Sequence, residues 1–291
     1  MIKPLGAIAA AALVTATLVP GTATASTAAS CGIAVGSVTA AGDHLELDLR
    51  STRPPTADAP YSIGQHVYPP GAVRVSASQS LANDGISIFF VGGYSILGDA
   101  LYYANYAAPG GGPIDGSVQR VGGGWGTFVA LEQTGYADTV QRRNNGYGLR
   151  NDGTLFRWSI DNKGVWRSPA SAPGFAAVKS MTLLRATKTY DLFLANTRGG
   201  GLYTILLPAT VPLKPVVKLV RAATWQGFET LIAQPCGRYG FVLLGIDKDT
   251  QTGYLYAVGA PNGTSTVIQG LGKPPVKFSD PVYFHWAFAG N

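Results

Sequence analysis

The sequence predicts an all-β domain made of repeated four-stranded units. Aromatic and β-branched residues stand in short runs separated by Gly, Pro, Asn and Asp, and no capped helical pattern follows Ala29. A glycine-Leu-aromatic motif also returns about every 50 residues, which is the length of one four-stranded propeller blade. The chain has 291 residues, 46% of them hydrophobic and 13% charged, so it has enough apolar surface for a large core. Together these observations predict a five-bladed β-propeller.

The repeat is defined by a leucine followed by an aromatic residue. A phenylalanine precedes three of the four copies by the same interval, and this predicts that Phe128, Phe175 and Phe228 are equivalent. The four pairs are Leu101-Tyr102, Leu155-Phe156, Leu202-Tyr203 and Leu255-Tyr256.

Each repeat divides into four short strands. In the best-preserved unit the strands are FVALEQ, GYGLRN, TLFRWSI and a shorter run near VWRS. An earlier unit has the same order in GAVRVSAS, GISIFFVGG, LYYANY and GSVQRVG. The turns between strands carry Asn-Asp-Gly or Gly-Gly, which are typical hairpin residues.

The two ends of the chain predict one composite blade. The segments CGIAVGSVTA and HLELDLR resemble second and third strands, and an outer strand is predicted near Ile63 to Tyr68. The final segment PVKFSDPVYFHWAF resembles a first strand with nothing after it. Pairing the N-terminal and C-terminal strands would complete a fifth blade and close the ring, which removes exposed sheet edges.

Residues 1–25 are predicted to be a secretory signal peptide. Lys3 precedes an apolar stretch from Leu5 to Val19, and cleavage is expected after Ala25. A short extension (26–30) and one domain (31–291) follow, so we expect a soluble, extracellular protein with no membrane contact after cleavage. A lipid anchor on Cys31 is the alternative, but AASC lacks the usual large apolar residue.

The two cysteines are expected to form a disulfide. In an exported chain a thiol pair is usually oxidised. The strand assignment places Cys31 and Cys236 on one face of neighbouring blades, where a bond would fasten the N-terminal strand and contribute roughly 2–5 kcal/mol. Two buried free thiols are the alternative.

Charge and histidine spacing exclude several functions. The formal net charge of +6 is spread along the chain, with Arg142 and Arg143 as the only adjacent pair, so no nucleic-acid partner is predicted. His44, His66 and His285 lack the spacing of metal ligands, and we predict neither a metal nor a cofactor.

The segment GGGWGTF, followed later by NNGYGLRNDGTLFRW, resembles the repeats of tachylectin-type five-bladed propeller lectins. In that family a Gly-Gly-Trp-x-x-Phe motif opens each blade and an Asn-Gly-aromatic segment begins the next strand. The chain also resembles the FG-GAP-like repeats of secreted bacterial propellers, whose strands carry Asp-Gly-x-Leu-aromatic. The resemblance covers most of Val73 to Phe288, and it implies a glycan-binding fold. The FG-GAP calcium loop is not expected, because QTGYAD has a single carboxylate.

Glycan sites combine an aromatic face with amide, carboxylate or guanidinium groups. The richest such mixture predicts a ligand-binding set of Asn151, Asp152, Arg157, Trp158, Asp161, Asn162, Trp166 and Trp125. The alternatives are an ordinary Asn-Asp-Gly hairpin with outward polar residues and, for Trp125 and Trp225, wedges between adjacent blades.

We therefore predict a secreted, lectin-like propeller that binds a glycan or cell-envelope polysaccharide without catalysis. One alternative is a glycoside hydrolase whose carboxylates, Glu132, Glu229 and Asp280, converge on the central cavity. The other alternative is an extracellular protein-interaction scaffold.

Overall fold

The computed structural model describes residues 31–85, 87–110 and 112–288. The predicted signal peptide and the extension 26–30 lie outside these residues. The described residues form 22 β-strands and no helix, so the all-β prediction is confirmed. Accordingly, none of them forms a helix with the length and apolar character needed to span a bilayer.

Three antiparallel four-stranded sheets follow one another along the chain, each with its strands in sequence order. The first sheet confirms the division predicted for the best-preserved repeat. Its strands are β10 (Phe128–Ala137), β11 (Arg142–Arg150), β12 (Leu155–Ile160) and β13 (Trp166–Ala172). The second contains β14 (Val178–Ala186), β15 (Tyr190–Thr197), β16 (Leu202–Pro208) and β17 (Val216–Arg221), and the third contains β18 (Thr230–Cys236), β19 (Gly240–Asp247), β20 (Thr252–Val258) and β21 (Ile268–Gly272).

The remaining strands form one ten-stranded sheet with two blade-like parts. The first part contains β1 (Gly32–Val38), β2 (His44–Arg50), β3 (Thr56–Ala57), β4 (Tyr61–Gly64) and the C-terminal β22 (Val282–Phe288). The second contains β5 (Val73–Ser76), β6 (Gln79–Asn83), β7 (Ile88–Leu97), β8 (Ala100–Pro109) and β9 (Asp115–Gly123). Strand β22 pairs antiparallel with β1, with Val35 opposite His285, which confirms that the two ends complete one unit.

The strand predicted from GAVRVSAS is shorter in the structure, where β5 covers only Val73–Ser76, and after a break a further strand, β6, follows at Gln79–Asn83. Strands β5 and β6 both pair with β7, and β6 also runs parallel to β22. The break lies beside Ser76, whose hydroxyl accepts a hydrogen bond from the buried Gln79 amide at 2.8 Å. This side-chain bond helps to satisfy polar groups where the ladder is interrupted.

One segment each of β5, β10, β14, β18 and β22 lines a single central cavity. The lining segments are 74–76, 129–132, 179–182, 229–232 and 282–285. Between β14 and β18, side chains connect the inner strands: the Ser180 hydroxyl accepts from Leu231 N at 2.9 Å, and the Thr182 hydroxyl accepts from Ala233 N at 3.1 Å. The sheets are thus arranged like blades around this cavity.

An aromatic residue occupies the joint before each complete inner strand. The main-chain N–H of Trp125 donates to Asp99 O at 3.0 Å, in the β7–β8 turn of the preceding sheet. Trp225 makes the same bond to Gly200 O at 3.1 Å, and Phe278 donates to Gln251 O at 3.0 Å. Each joint therefore ties one sheet to a turn of the sheet before it.

Phe175 belongs to this joint series. It donates to Gly153 O at 2.9 Å, so it corresponds to Trp125 and Trp225. The predicted equivalence of Phe175 with Phe128 is therefore wrong. Val178 takes the Phe128 position, since each donates its N–H to the carbonyl of the joint residue at 3.0 Å.

The joint tryptophans pack between neighbouring sheets. Trp125 is 8% exposed and lies in a buried cluster with Ile96 and Leu101 of one sheet and Leu131 and Ile160 of the next. Trp225 is 5% exposed and packs in the same way between the second and third four-stranded sheets. The interpretation of these residues as inter-sheet wedges is confirmed.

Cys31 and Cys236 form a disulfide, as predicted. Their Cα atoms are 5.8 Å apart and the two residues are 205 positions apart in sequence. The bond joins the residue before β1 to the end of β18, and Gln234 Oε1 accepts from Ala34 N at 3.2 Å beside it. The N-terminal strand is thereby fastened to the last complete sheet.

Candidate functional site

A groove lies between strands β7–β9 and the sheet β10–β13. It has a polar part of about 720 Å³ and an adjoining apolar part of about 580 Å³, and the two share Val121 and Gly164. We call the two parts together the inter-sheet groove. The volume of each part lies within the roughly 300–1,000 Å³ that is typical of ligand pockets.

Aromatic rings form the floor of the groove. Trp158 lies 5.1 Å from Trp125 and 5.4 Å from Trp166, measured between ring centroids. Tyr94 lies 4.7 Å from Tyr103 and meets Trp166 edge to face at 5.1 Å. Contacts of this kind hold the rings in fixed positions.

Two glycines of β11 make this packing possible. A Cβ atom at Gly146 would lie 2.2 Å from the Trp166 ring, and one at Gly148 would lie 2.7 Å from the Phe128 ring. The aromatic rings therefore lie directly on the backbone of β11. This is the structural reason for the glycines in NNGYGLR.

Strand β12 places alternate residues on opposite faces of its sheet. Phe156 and Trp158 face the groove side, with their rings 5.4 Å apart and nearly parallel. Leu155 belongs to the core on the other side, together with residues of β14–β16. The alternation explains why neighbouring residues of TLFRWSI have different roles.

Polar side chains surround the aromatic floor. Amides and charged groups of four elements line the polar part: Gln119, Arg120, Gln133, Arg142, Asn144, Asp161, Asn162 and Lys163. Asp161 organises the β12–β13 turn by accepting from Lys163 N at 2.9 Å and Val165 N at 3.0 Å. The Val165 amide and the Arg167 guanidinium lower the pKa of Asp161, so this carboxylate is ionised at neutral pH.

Five of the eight predicted ligand-binding residues meet in the groove: Trp125, Trp158, Asp161, Asn162 and Trp166. Asn151 and Asp152 do not, because their turn lies at the opposite end of β12. Asp152 accepts from Thr154 N at 2.9 Å and pairs with Arg150 at 2.8 Å. These two residues fit the ordinary hairpin interpretation.

Arg157 also lies away from the groove. It is 7% exposed on the opposite face of β12 and donates to the main-chain carbonyls of Pro208 and Thr210, the latter at 3.0 Å. Its guanidinium therefore ties the β10–β13 sheet to the end of β16. The predicted ligand-binding set therefore contains residues from both faces of β12.

The preceding sheet contributes residues that the sequence did not indicate. Tyr94 and Tyr103 are direct cross-strand partners in β7 and β8, and Arg120 extends from β9. Pairing the two tyrosine-containing runs as a hairpin would have placed these rings side by side. No local signal connects them to Trp166, which lies in another sheet.

The central cavity measures about 130 Å³ and is lined by two of the three carboxylates that the hydrolase alternative would use, Glu132 and Glu229. Burial raises the pKa of Glu132 to about 7, against the opposing effect of the Ser78 hydroxyl that donates to it at 2.9 Å. Glu229 forms an ion pair with Lys179 and accepts from Lys248 N at 2.8 Å. Asp280 does not line the cavity and accepts from the Ser37 hydroxyl at 2.6 Å.

Glu132 and Glu229 stand at different levels of the cavity. The segments 129–132 and 229–232 correspond, so the counterpart of Glu132 in β18 is Ile232, three positions beyond Glu229. Three residues of strand separate the backbone positions by about 10 Å along the strand direction. Because Asp280 also lies outside the cavity, the three carboxylates do not converge as the hydrolase alternative requires.

The histidines occupy separate environments. His44 is buried among aromatic rings with its Nδ1 2.7 Å from the Tyr106 hydroxyl, and burial lowers its pKa to about 3. His285 Nε2 lies 3.1 Å from Gln234 Oε1. Nowhere in residues 31–85, 87–110 and 112–288 do three or more potential metal-ligating side chains come together.

No family model and no curated protein matches the chain. Among solved structures, it is similar to the fucose-specific lectin from Aleuria aurantia, with 10% identity, a TM-score of 0.46, and coverage of 83% of this chain and 78% of the lectin. It is also similar to the BP39L lectin from Burkholderia pseudomallei, with 13% identity, a TM-score of 0.44, and coverage of 84% of this chain and 66% of that one. The catalytic domain of a Coprinopsis cinerea GH62 alpha-L-arabinofuranosidase gives 13% identity, a TM-score of 0.43, and coverage of 75% and 74%. At these scores the likeness assigns neither ligand nor activity.

Proposed function

We propose that this protein is an exported five-bladed β-propeller that binds glycans in the inter-sheet groove without chemical conversion. The observation that carries the proposal is the groove itself, where rigid aromatic rings lie beneath a rim of amides and charged side chains. This is the combination that sugars require: a flat apolar surface for C–H groups and polar groups for hydroxyls.

Five strands line the central cavity, and this supports a count of five blades. We infer that each is the innermost strand of one blade, with β5 and β6 sharing that role in the blade that contains β7. The disulfide fits an oxidising compartment, in agreement with a signal peptide in residues 1–25. An exported protein of this kind would meet polysaccharides of the cell envelope, so we propose one of these as its partner.

Binding requires no rearrangement of the groove. Trp158, Trp166 and Tyr103 are half-buried, so each keeps one accessible part while its neighbours fix its orientation. A sugar ring would lie on these exposed parts, and the amides of Asn144 and Asn162 would bond its hydroxyls. A preorganised site loses little conformational entropy on binding.

The central cavity favours a structural role over hydrolysis. Glycosidases hold their two carboxyl groups about 5–5.5 Å apart when retaining and roughly 6.5–9.5 Å apart when inverting. Glu229 is already paired with Lys179, and its strand position is offset from that of Glu132. We therefore assign no catalytic role to these carboxylates.

A glycan array with the purified protein tests the proposal. We expect binding to a defined group of glycans, and a loss of about fivefold or more in affinity for Trp166→Ala, because one stacked ring contributes on the order of 1 kcal/mol or more. Asn162→Ala, at an exposed position, weakens binding without affecting the fold. The double variant Asn151→Ala/Asp152→Ala is the matched control, because it removes similar polar groups from the turn outside the groove.

An array without any bound glycan would overturn the proposal and favour the interaction-scaffold alternative. Equal losses in the groove variants and in the Asn151/Asp152 control would show that binding occurs elsewhere on the molecule. Thermal melting of each variant separates lost binding from lost folding.

A further inference from the structure

We propose that the inter-sheet groove selects anionic glycans, those that carry carboxylate or sulfate groups. This inference rests on the proposed glycan-binding function and adds the chemical class of the ligand. Its basis is the charge of the polar part, which three cations line together with a single carboxylate, Asp161. The cations are Arg120, Arg142 and Lys163.

The three cations come from three separate elements. Arg120 lies on β9, Arg142 begins β11, and Lys163 lies in the β12–β13 turn. The fold brings them together around one groove although their sequence positions are far apart. Such a convergence of like charges raises the local potential and attracts anions.

None of these cations is neutralised by the protein. Within the part of the chain that the structure describes, ion pairs join other residues, and none includes Arg120, Arg142 or Lys163. The Asp161 carboxylate is already engaged, because Oδ2 accepts from Arg167 Nε at 2.7 Å and Oδ1 accepts from two turn amides. The positive charge of the groove is thus left for a ligand.

The two adjacent arginines, Arg142 and Arg143, lie in different environments. Arg143 turns into the protein, where it binds both oxygens of the buried Asp191 at 2.5 and 2.7 Å. Arg142 is exposed and lines the groove. One arginine of the pair is therefore satisfied by the fold and the other remains available.

The surroundings of the cations favour a sugar over a nucleic acid. The cations border a groove with aromatic rings and four amide side chains, which suit hydroxyl groups. Nucleic-acid binding uses a basic stripe that follows a phosphate backbone, and the remaining basic residues are dispersed. A carboxylated or sulfated polysaccharide satisfies both the cations and the amides.

Two pairs of polymers test the inference: polygalacturonate against its methyl ester, and dextran sulfate against dextran. Each pair shares one backbone and differs in charge. We expect the wild-type protein to bind the charged member of at least one pair about tenfold or more tightly, because hydrogen bonds to charged groups contribute about 1.5–3 kcal/mol each. The preference should weaken with added salt.

Arg120→Gln/Arg142→Gln is the test variant, and Lys214→Gln/Lys218→Gln is the matched control. Both pairs are exposed and both changes lower the net charge equally, but Lys214 and Lys218 lie outside the groove. We expect the test variant to lose the preference and the control to keep it. Loss of preference in both variants would show that overall charge is responsible and would overturn the inference.

Equal binding of charged and neutral polymers would overturn the anionic preference while leaving glycan binding intact. Binding to no polymer and to no array glycan would instead overturn the proposed function. Single-stranded DNA serves as a third probe, and DNA binding as tight as that of the charged polymers would show a general polyanion surface and contradict selection of glycans.

Discussion

Phe175 holds the position in its repeat that Trp125 holds in the repeat before it. Each donates its main-chain N–H to a carbonyl in the turn between second and third strands of the preceding sheet, at 2.9 and 3.0 Å. Each also accepts the hydrogen bond from the residue three positions later. The same joint thus holds tryptophan in one repeat and phenylalanine in the next.

This equivalence predicts the effect of replacing the joint residue. Trp125→Ala should lower the free energy of unfolding by about 3–5 kcal/mol, because it leaves a cavity between two sheets. Trp125→Phe should cost clearly less, since phenylalanine fills the same joint at Phe175 and Phe278. Urea unfolding of the two variants measures the difference, and equal destabilisation would contradict the equivalence.

Removal of the disulfide should destabilise the whole domain. Cys31→Ser/Cys236→Ser opens a loop closed over 205 positions, so we expect a loss of roughly 2–5 kcal/mol under oxidising conditions. A reducing agent should lower the stability of the wild type towards that of the double variant. It should leave the double variant unchanged, which is the internal control.

The buried Asp191 should be sensitive to loss of its charge partner. Its carboxylate is fully buried and accepts hydrogen bonds from Arg143, Thr134, Asn145 and Tyr147. Asp191→Ala leaves the half-buried Arg143 without compensation, so we expect a loss of about 3–5 kcal/mol. The double variant Asp191→Ala/Arg143→Met should recover part of it, and additive losses would argue against coupling.

Glu132 should make stability fall as pH rises. Its pKa is about 7 in the folded protein against 4.5 for an ordinary glutamate, so between these values the folded state keeps a proton that the unfolded state loses. The free energy of unfolding then decreases with pH by up to about 1.4 kcal/mol per unit, and the effect levels off above pH 7.

Glu132→Gln removes this titration while keeping an acceptor for Ser78. The variant should gain stability relative to the wild type between pH 4.5 and 7, and the difference should be constant above that range. Urea unfolding at pH 4, 5.5, 7 and 8 provides the comparison. Parallel curves for the two proteins would contradict a raised pKa at this position.

Arg157 provides a test of the two faces of β12. Arg157→Met removes the bonds to Pro208 and Thr210, so we expect a lower melting temperature. Glycan affinity should stay within about twofold of the wild type, because the guanidinium faces away from the groove. Loss of affinity at unchanged stability would place Arg157 in the site after all.

Local patterns were enough to predict the repeat, most of the strands, the composite unit and the disulfide. The outer strand expected near Ile63 to Tyr68 was misplaced, because it lies at Tyr61–Gly64. Period-two alternation and hairpin residues act over a few neighbours, so LFRWSI and the turn Asn151-Asp152-Gly153 specify their structure from sequence. The Cys31 to Cys236 pairing followed once the strand order was known. The sequence aligned Phe175 with Phe128 because both stand at the same interval before a Leu-aromatic pair. That interval does not reveal which carbonyl each main-chain N–H will bond, and this bond defines the joint.

The site depended on contacts that no local pattern contains. Arg157 and Trp158 are neighbours in sequence, yet one faces the following sheet and the other faces the groove, since a strand alternates its side chains. Whether each face becomes core or binding surface depends on the sheet packed against it. Tyr103 and Arg120 reach the groove from the preceding sheet, and only the packing of the two sheets brings them to Trp166.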